Sequence, residues 1–310
     1  MTKMTGSASA GHILVLGASN TDLVCTTDRL PGPGETVAST SFAVYPGGKA
    51  ANQAVAAMRA GGQVAFVGCF GDDDYGHARC NEMAAEGIDL AHARVIEDET
   101  SGLALIAVDQ GGENLIITVG GANDRISGDQ LRDAIDQSSW DVLLMPNEAP
   151  AEVVHQALTG MQEAITVFNA APFVDSLREL ARLVDVLVCN EVEASQFLGR
   201  SVTEVTAAHD VEELAGLAGG EAVITLGAAG AVGWDGETSC VAPALSVTVR
   251  DTTGAGDAFC GAFASWLARG ASFEDALRAG TVAGSLATTR AGAQPSLPSL
   301  AEIQKHLKSS

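Results

Sequence analysis

At 310 residues, 46% of them hydrophobic, the chain is long enough for one large α/β domain or two smaller ones. A formal net charge of −22 argues against nucleic acid or an anionic membrane surface as partner. Six scattered cysteines with no C-x-x-C pair, and six separated histidines, argue against a disulfide framework or a zinc site.

The opening residues, Met1 to Gly11, are small and polar, and both chain ends are expected to fray. The run Ile13-Leu14-Val15-Leu16 is too short for a signal peptide and reads as a first strand. No apolar run approaches the roughly 20 residues of a membrane span, so a cytoplasmic protein is expected. Further strand-like runs cover 64–68, 141–145, 165–168, 184–189 and 222–226. Helical patterns lie between them at 50–60, 78–86, 129–137, 151–161 and 211–217. Continuous apolar strands separated by helices predict a mostly parallel sheet covered on both faces.

Two stretches break this alternation. Residues 21–44 carry the turn Pro31-Gly32-Pro33-Gly34 between strand-like pieces, and 102–119 read as a hairpin turning through Asp109-Gln110-Gly111-Gly112. They predict a small separate sheet, either a lid or a dimer surface. Polar residues recur just after the strands: Asn20 and Asp22, Asn147 and Glu148, Asn169, Asn190 and Glu193, and Gly227. Open parallel sheets bind ligands beyond the carboxyl ends of their strands.

Four turns carry candidate functional residues. In Gly47-Gly48-Lys49-Ala50-Ala51-Asn52-Gln53, glycines allow close backbone approach, and Lys49 opposes the helix dipole, which points to a functional reason for it. It is not a Walker A loop. Asn190-Glu191-Val192-Glu193 fits either a capping box or a pair holding a hydrated Mg²⁺. Thr225-Leu226-Gly227-Ala228-Ala229-Gly230 fits either a backbone rest for a nucleotide or an ordinary turn.

The fourth turn, Asp251-Thr252-Thr253-Gly254-Ala255-Gly256-Asp257, opens a helix. Phe259, Phe263, Trp266 and Leu267 then form a helical apolar stripe, closed by Arg269 and Gly270. Free amides and the dipole at such a helix start attract anions. An acid there is awkward unless it takes a proton, which suggests a hydroxyl attacking a phosphoryl group. The alternative is that Asp257 merely caps the helix.

In this order, the motifs around Gly47-Gly48-Lys49 and Gly254-Ala255-Gly256-Asp257 resemble the PfkB (ribokinase-like) carbohydrate kinases, most closely those acting on ribose. The resemblance spans nearly the whole chain, to Gly292-Ala293-Gln294-Pro295-Ser296. It implies one domain over 1–310, a three-layer α/β/α sandwich with a β-sheet lid from about 21–46 and 102–121, often a homodimer through the lid. It implies ATP-dependent phosphorylation of ribose at its 5-hydroxyl. Asp257 would be the base, and the amides of Ala255, Gly256 and Asp257 after Gly254 the anion hole. Asn20, Asp22, Gly48, Lys49, Asn52 and Glu148 would contact sugar. Asn190, Thr225, Gly227, Gly230 and Gly256 would lie along ATP, with Glu193 acting on Mg²⁺ through water. Asp251, Thr253, Ala287, Arg290, Gly292 and Ser296 match positions around a K⁺ ion. Two positions depart from the family pattern: Pro146-Asn147 stands where Gln-Leu is common, and Thr281 where a His often faces adenine. The first leaves deoxyribose, a ketohexose or a nucleoside open as acceptor. A non-catalytic sensor fits the intact Asp257 poorly, and Gly17-Ala18-Ser19-Asn20 is no dinucleotide fingerprint.

Overall fold

The computed structural model describes residues 11–308; of the ends expected to fray, 1–10 and 309–310 lie outside the described residues, while Lys308 is the C-cap of helix Leu300–Leu307. Eight strands form the central sheet in the order Ser239–Ala242, Ala231–Trp234, Glu221–Thr225, Val186–Asn190, Ile165–Asn169, Val142–Pro146, His12–Leu16, Gln63–Val67. The six strands from Glu221–Thr225 onward pair in parallel. The first two form an antiparallel edge hairpin.

Because side chains alternate across a strand, the apolar runs feed two cores. Ile13, Val15, Val142 and Leu144 face one, while Leu14, Leu16, Leu143 and Met145 face the other. Helices Lys49–Arg59, Ala255–Ala268 and Phe273–Ala287 cover the first face. Helices Gly128–Gln137, Ala151–Gly160 and Ala207–Leu217 cover the second. This is the expected three-layer α/β/α sandwich. Each fully buried Leu or Ile contributes roughly 1.5–3 kcal/mol, which leaves the sheet a rigid platform for whatever its strand ends carry. Among the described residues, no helix is long and apolar enough to cross a membrane.

Helices Lys49–Arg59 and Ala255–Ala268 touch backbone to backbone. A Cβ on Gly261 would lie 2.5 Å from Ala56 Cβ and 2.6 Å from Gln53 O, so only glycine permits the approach. Phe259 and Phe263 stack at 5.8 Å on the apolar stripe read from the sequence.

A separate four-stranded sheet has the order Ser39–Gly47, Asn20–Thr27, Gly102–Val108, Asn114–Val119. Its register places Val44, Leu23, Leu105 and Ile117 in one cross-strand row, and Phe42, Cys25, Ala107 and Leu115 in the next on the same face. That face is open: Phe42 is 61% exposed and Ile117 55%. Asp22, one residue before Leu23, points to the opposite face.

Candidate active site

The strand Ser39–Gly47 runs straight into the helix Lys49–Arg59, leaving Gly48 as N-cap at φ 87°. A Cβ at Gly48 would sit 2.7 Å from Ala18 O, so the turn passes tightly over the end of the first strand. Glu148, just beyond strand Val142–Pro146, accepts the amides of Lys49 (3.1 Å) and Ala50 (3.0 Å) through its two carboxylate oxygens. Lys49 Nζ lies 3.8 Å from Glu148 Oε1. The acid thus compensates both the free helix amides and the lysine that opposes the dipole. Burial nevertheless raises the Glu148 pKa, with Lys49 and the two amides acting against it.

Asp22 rests on Gly47, where a Cβ would meet its Oδ1 at 2.2 Å. Burial pushes its pKa up to about 6, Glu148 adds to the rise, and Lys49 and Arg79 oppose it. Asn20 Oδ1 accepts from Asn123 Nδ2 (2.8 Å), and Asn123 Oδ1 accepts the Ser19 amide (3.0 Å). Asn123 was not singled out from the sequence.

Asp257 does not cap its helix. The N-cap is Gly254, in the left-handed region at φ 78°, and no side chain caps that end. A Cβ on Gly254 would approach Ala293 Cα to 2.9 Å. The Asp257 carboxylate is instead buried and held from the neighbouring helix: Asn52 Nδ2 donates to Oδ2 (2.9 Å) and Gln53 Nε2 to Oδ1 (3.1 Å). Burial raises its pKa to about 6; the Asn52 and Gln53 bonds hold it back, Glu148 adds to the rise and Lys49 lowers it. The Ala255 amide is used in a turn to Thr252 O (3.2 Å). Those of Gly256 and Asp257 have no partner among the described residues, so they are the free donors at this helix start.

A cleft of about 240 Å³ opens here. Its walls include Lys49, Asn169, Asn190, Glu193, Thr225, Gly254, Gly256 and Asp257, so the strand ends face the helix start across it. Asn190 and Glu193 form the capping box: Asn190 Oδ1 accepts the Glu193 amide and Glu193 Oε2 the Asn190 amide, each at 2.9 Å. This leaves Glu193 Oε1 for another partner, and burial raises the pKa of the carboxyl. Gly227 (φ 53°) and Gly230 (φ 97°) bound the short turn after Thr225. Thr281 is buried in helix Phe273–Ala287, where its hydroxyl donates to Leu277 O (2.9 Å), and it does not line the cleft. Cys189 and Cys260 do line it, but burial drives both thiols well above the usual range, away from nucleophilic use.

Asp251 ties two segments together. Its Oδ1 accepts the Thr253 amide (2.9 Å) and its Oδ2 the Gly292 amide (2.7 Å). Burial pushes its pKa up, but these bonds more than offset that and hold it below the usual range. Ser296 is fully buried beside them, its hydroxyl bonded to Ala293 O (2.8 Å). Arg290 directs its side chain to Glu302 and its amide to Ala287 O.

The sequence and the fold match known proteins along nearly their full length. The family model described as pfkB family carbohydrate kinase matches residues 10–300. Ribokinase of Bacillus subtilis is 37% identical over 299 residues, covering 96% of this chain and 99% of that one. Ribokinase of Haemophilus influenzae is 36% identical over 300 residues, covering 96% and 98%. The structure of Arabidopsis thaliana ribokinase complexed with ribose and ATP superposes with a TM-score of 0.88 at 29% identity, covering 97% of this chain and 100% of that one. With two glycine-led helix starts converging on one buried aspartate and a family match over residues 10–300, the chain belongs to the pfkB family of carbohydrate kinases.

Proposed function

We propose that the protein transfers the γ-phosphoryl group of ATP to the 5-hydroxyl of D-ribose. One observation carries this reading: a buried carboxylate, Asp257, sits beside the free amides of Gly256 and itself at a helix start, its pKa near 6. A carboxylate so poised is ionised at neutral pH yet basic enough to accept a proton.

In this mechanism the sugar lies against Asn20, Asp22, Gly48, Lys49, Asn52 and Glu148. The 5-hydroxyl gives its proton to Asp257 as the oxygen attacks the γ-phosphorus, and the bond from that phosphorus to the β,γ-bridging oxygen breaks, so ADP leaves. Charge on the transferring group faces the Gly256 and Asp257 amides, and positioning and charge stabilisation do most of the work in such reactions. ATP lies along Asn190, Thr225, Gly227, Gly230 and Gly256, with Thr281 behind the adenine side. The four-stranded sheet acts as a lid that excludes water.

Glu193 fits a hydrated Mg²⁺. It keeps one carboxylate oxygen outside the capping box, and no cluster of three ligating side chains exists among the described residues to cage an ion. Bound there, Mg²⁺ would neutralise phosphate charge while keeping most of its waters. Asp251 fits a K⁺ neighbourhood, since its ionised carboxylate joins the 251–253 segment to Gly292, with buried Ser296 close by in the chain. Thr253, Ala287, Arg290, Gly292 and Ser296 would complete that shell, several through carbonyls, and the ion would stiffen the turn before Gly254. The open apolar face of the lid would pair two copies into a homodimer, and ATP as donor would place the enzyme in the cytoplasm.

Incubation with ATP, Mg²⁺ and ribose tests this reading. Ribose 5-phosphate, identified by ³¹P NMR, is the expected product; phosphate released only to water, or phosphate on another hydroxyl, would overturn it.

A further inference from the structure

The setting of the Asp257 carboxylate traces back to a backbone carbonyl in the central sheet. Val188 O can only accept. Asn169 Nδ2 donates to it at 3.3 Å, which turns Asn169 Oδ1 the other way. Gln53 Nε2 donates to that Oδ1 at 3.1 Å and to Asp257 Oδ1 at 3.1 Å. Both hydrogens of the Gln53 amide are therefore used. Gln53 is fully buried, and its Oε1 has no partner among the described residues. A flipped Gln53 would set Oε1 against two acceptor oxygens and leave the amide nitrogen unpaired, each unfavourable in a buried site.

Building on the assignment of Asp257 as the base, we propose that Gln53 and Asn169 are positioning residues for phosphoryl transfer. Gln53 fixes the Asp257 carboxylate and favours its ionised form. Asn169 acts only through Gln53, by dictating which end of the amide faces the acid. Because Asn169 ends strand Ile165–Asn169 and lines the cleft, it ties the acid's geometry to the central sheet.

The other groups facing Asp257 are known. Glu148 raises its pKa, Lys49 lowers it, and Asn52 donates to the other oxygen. Cys260, one turn along the same helix, is held neutral by burial, with Asp257 and Glu193 adding to that effect. None of these compensates for loss of the Gln53 donor, so without it burial acts less opposed and Asp257 protonates at higher pH.

The test is steady-state kinetics from pH 5 to 9 on Gln53→Leu, Gln53→Met, Asn169→Leu and the Gln53→Leu/Asn169→Leu double variant. Gln53→Leu and Gln53→Met should lower kcat by about 10–100-fold, the loss expected for one hydrogen bond to a charged group. KM for ribose should stay within about threefold, since this bond serves the acid rather than the sugar. The acid limb of kcat should move to higher pH. Asn169→Leu should show a smaller loss and the same direction of shift. The double variant should be no worse than Gln53→Leu alone, because the two residues act in series. Losses that multiply in the double variant, or an acid limb that stays put, would overturn the proposal. Should either Gln53 variant fail to fold, the acid limb of Asn169→Leu still decides. Asp257→Asn run alongside separates the two levels. Turnover in Asp257→Asn removes the base assignment itself, whereas an inactive Asp257→Asn with unshifted Gln53 and Asn169 variants removes only this inference.

Discussion

Asn52 and Asp257 are 205 positions apart in the chain and share one buried hydrogen bond, Nδ2 to Oδ2 at 2.9 Å. The bond exists because their two helices touch at Gly261, one turn beyond Asp257. Adding a methyl at Gly261 forces the helices apart. Gly261→Ala is expected to cost about 1–3 kcal/mol of stability by overpacking. It should also lower kcat more than it raises KM, because Asn52 and Gln53 move away from the acid. Thermal melts and steady-state kinetics on the same sample check both parts; a stable variant with unchanged kcat would show that the contact does not align the site.

Asp257 governs the response to acid. Its folded pKa is raised to about 6, and the ionised form is the one able to take a proton. Activity should therefore be level above pH 7 and fall as pH drops through about 6. Asp22 titrates in the same range and Glu148 couples to both acids, so the limb belongs to the group rather than to one residue. Asp257→Asn should fold, bind ATP, and lose about 10²–10⁴-fold in kcat. Near wild-type turnover in Asp257→Asn would refute the assignment.

Far from the cleft, Glu221 starts its strand with a pKa raised to about 7 by burial, reinforced by Asp185 and Asp235. A carboxyl with a raised folded pKa stabilises the fold at low pH, and that contribution is lost as pH rises through the folded value. Glu221→Gln should thus raise Tm at pH 8, by about 2–4 °C for a gain near 1 kcal/mol after allowing for partial exposure. Below pH 4.5 it should change little. A Tm gain that is equal at both pH values would exclude titration of Glu221 as the cause.

The open face of the four-stranded sheet presents Phe42, Val44, Leu105, Leu115 and Ile117 to solvent. Contiguous apolar surface of this kind marks an interaction site. If two copies pair through it, Ile117→Lys should shift the protein from dimer to monomer in analytical ultracentrifugation. A wild-type monomer at micromolar concentration would contradict the pairing.

Much of the architecture was readable because the period of the apolar residues reports burial directly. The parallel strands appear within about two residues of the apolar runs, and the stripe through Phe259 and Phe263 marks its helix. The edge hairpin Ala231–Trp234 with Ser239–Ala242 was not, since four-residue strands carry too little pattern. Within the site, glycine turns announced Gly48 and Gly254 because their backbone geometry admits little else. Asn190 and Glu193 satisfied two readings locally, and the structure shows the capping box intact while both line the cleft. Asn123 gave no local signal, because it meets Ser19 and Asn20 only through the folded loop after the hairpin. Gln53 stood inside a quoted motif, but its contacts with Asn169 and Asp257 come from distant segments.

The ranking of acceptors by kcat/KM tests most directly whether ribose is the acceptor and ATP the donor. The measurement is an ATP-coupled assay across ribose, deoxyribose, ketohexoses and nucleosides, with and without K⁺. Ribose should give the highest kcat/KM, with K⁺ raising it. Another acceptor preferred tenfold or more over ribose, or no turnover on any of them, would contradict the account.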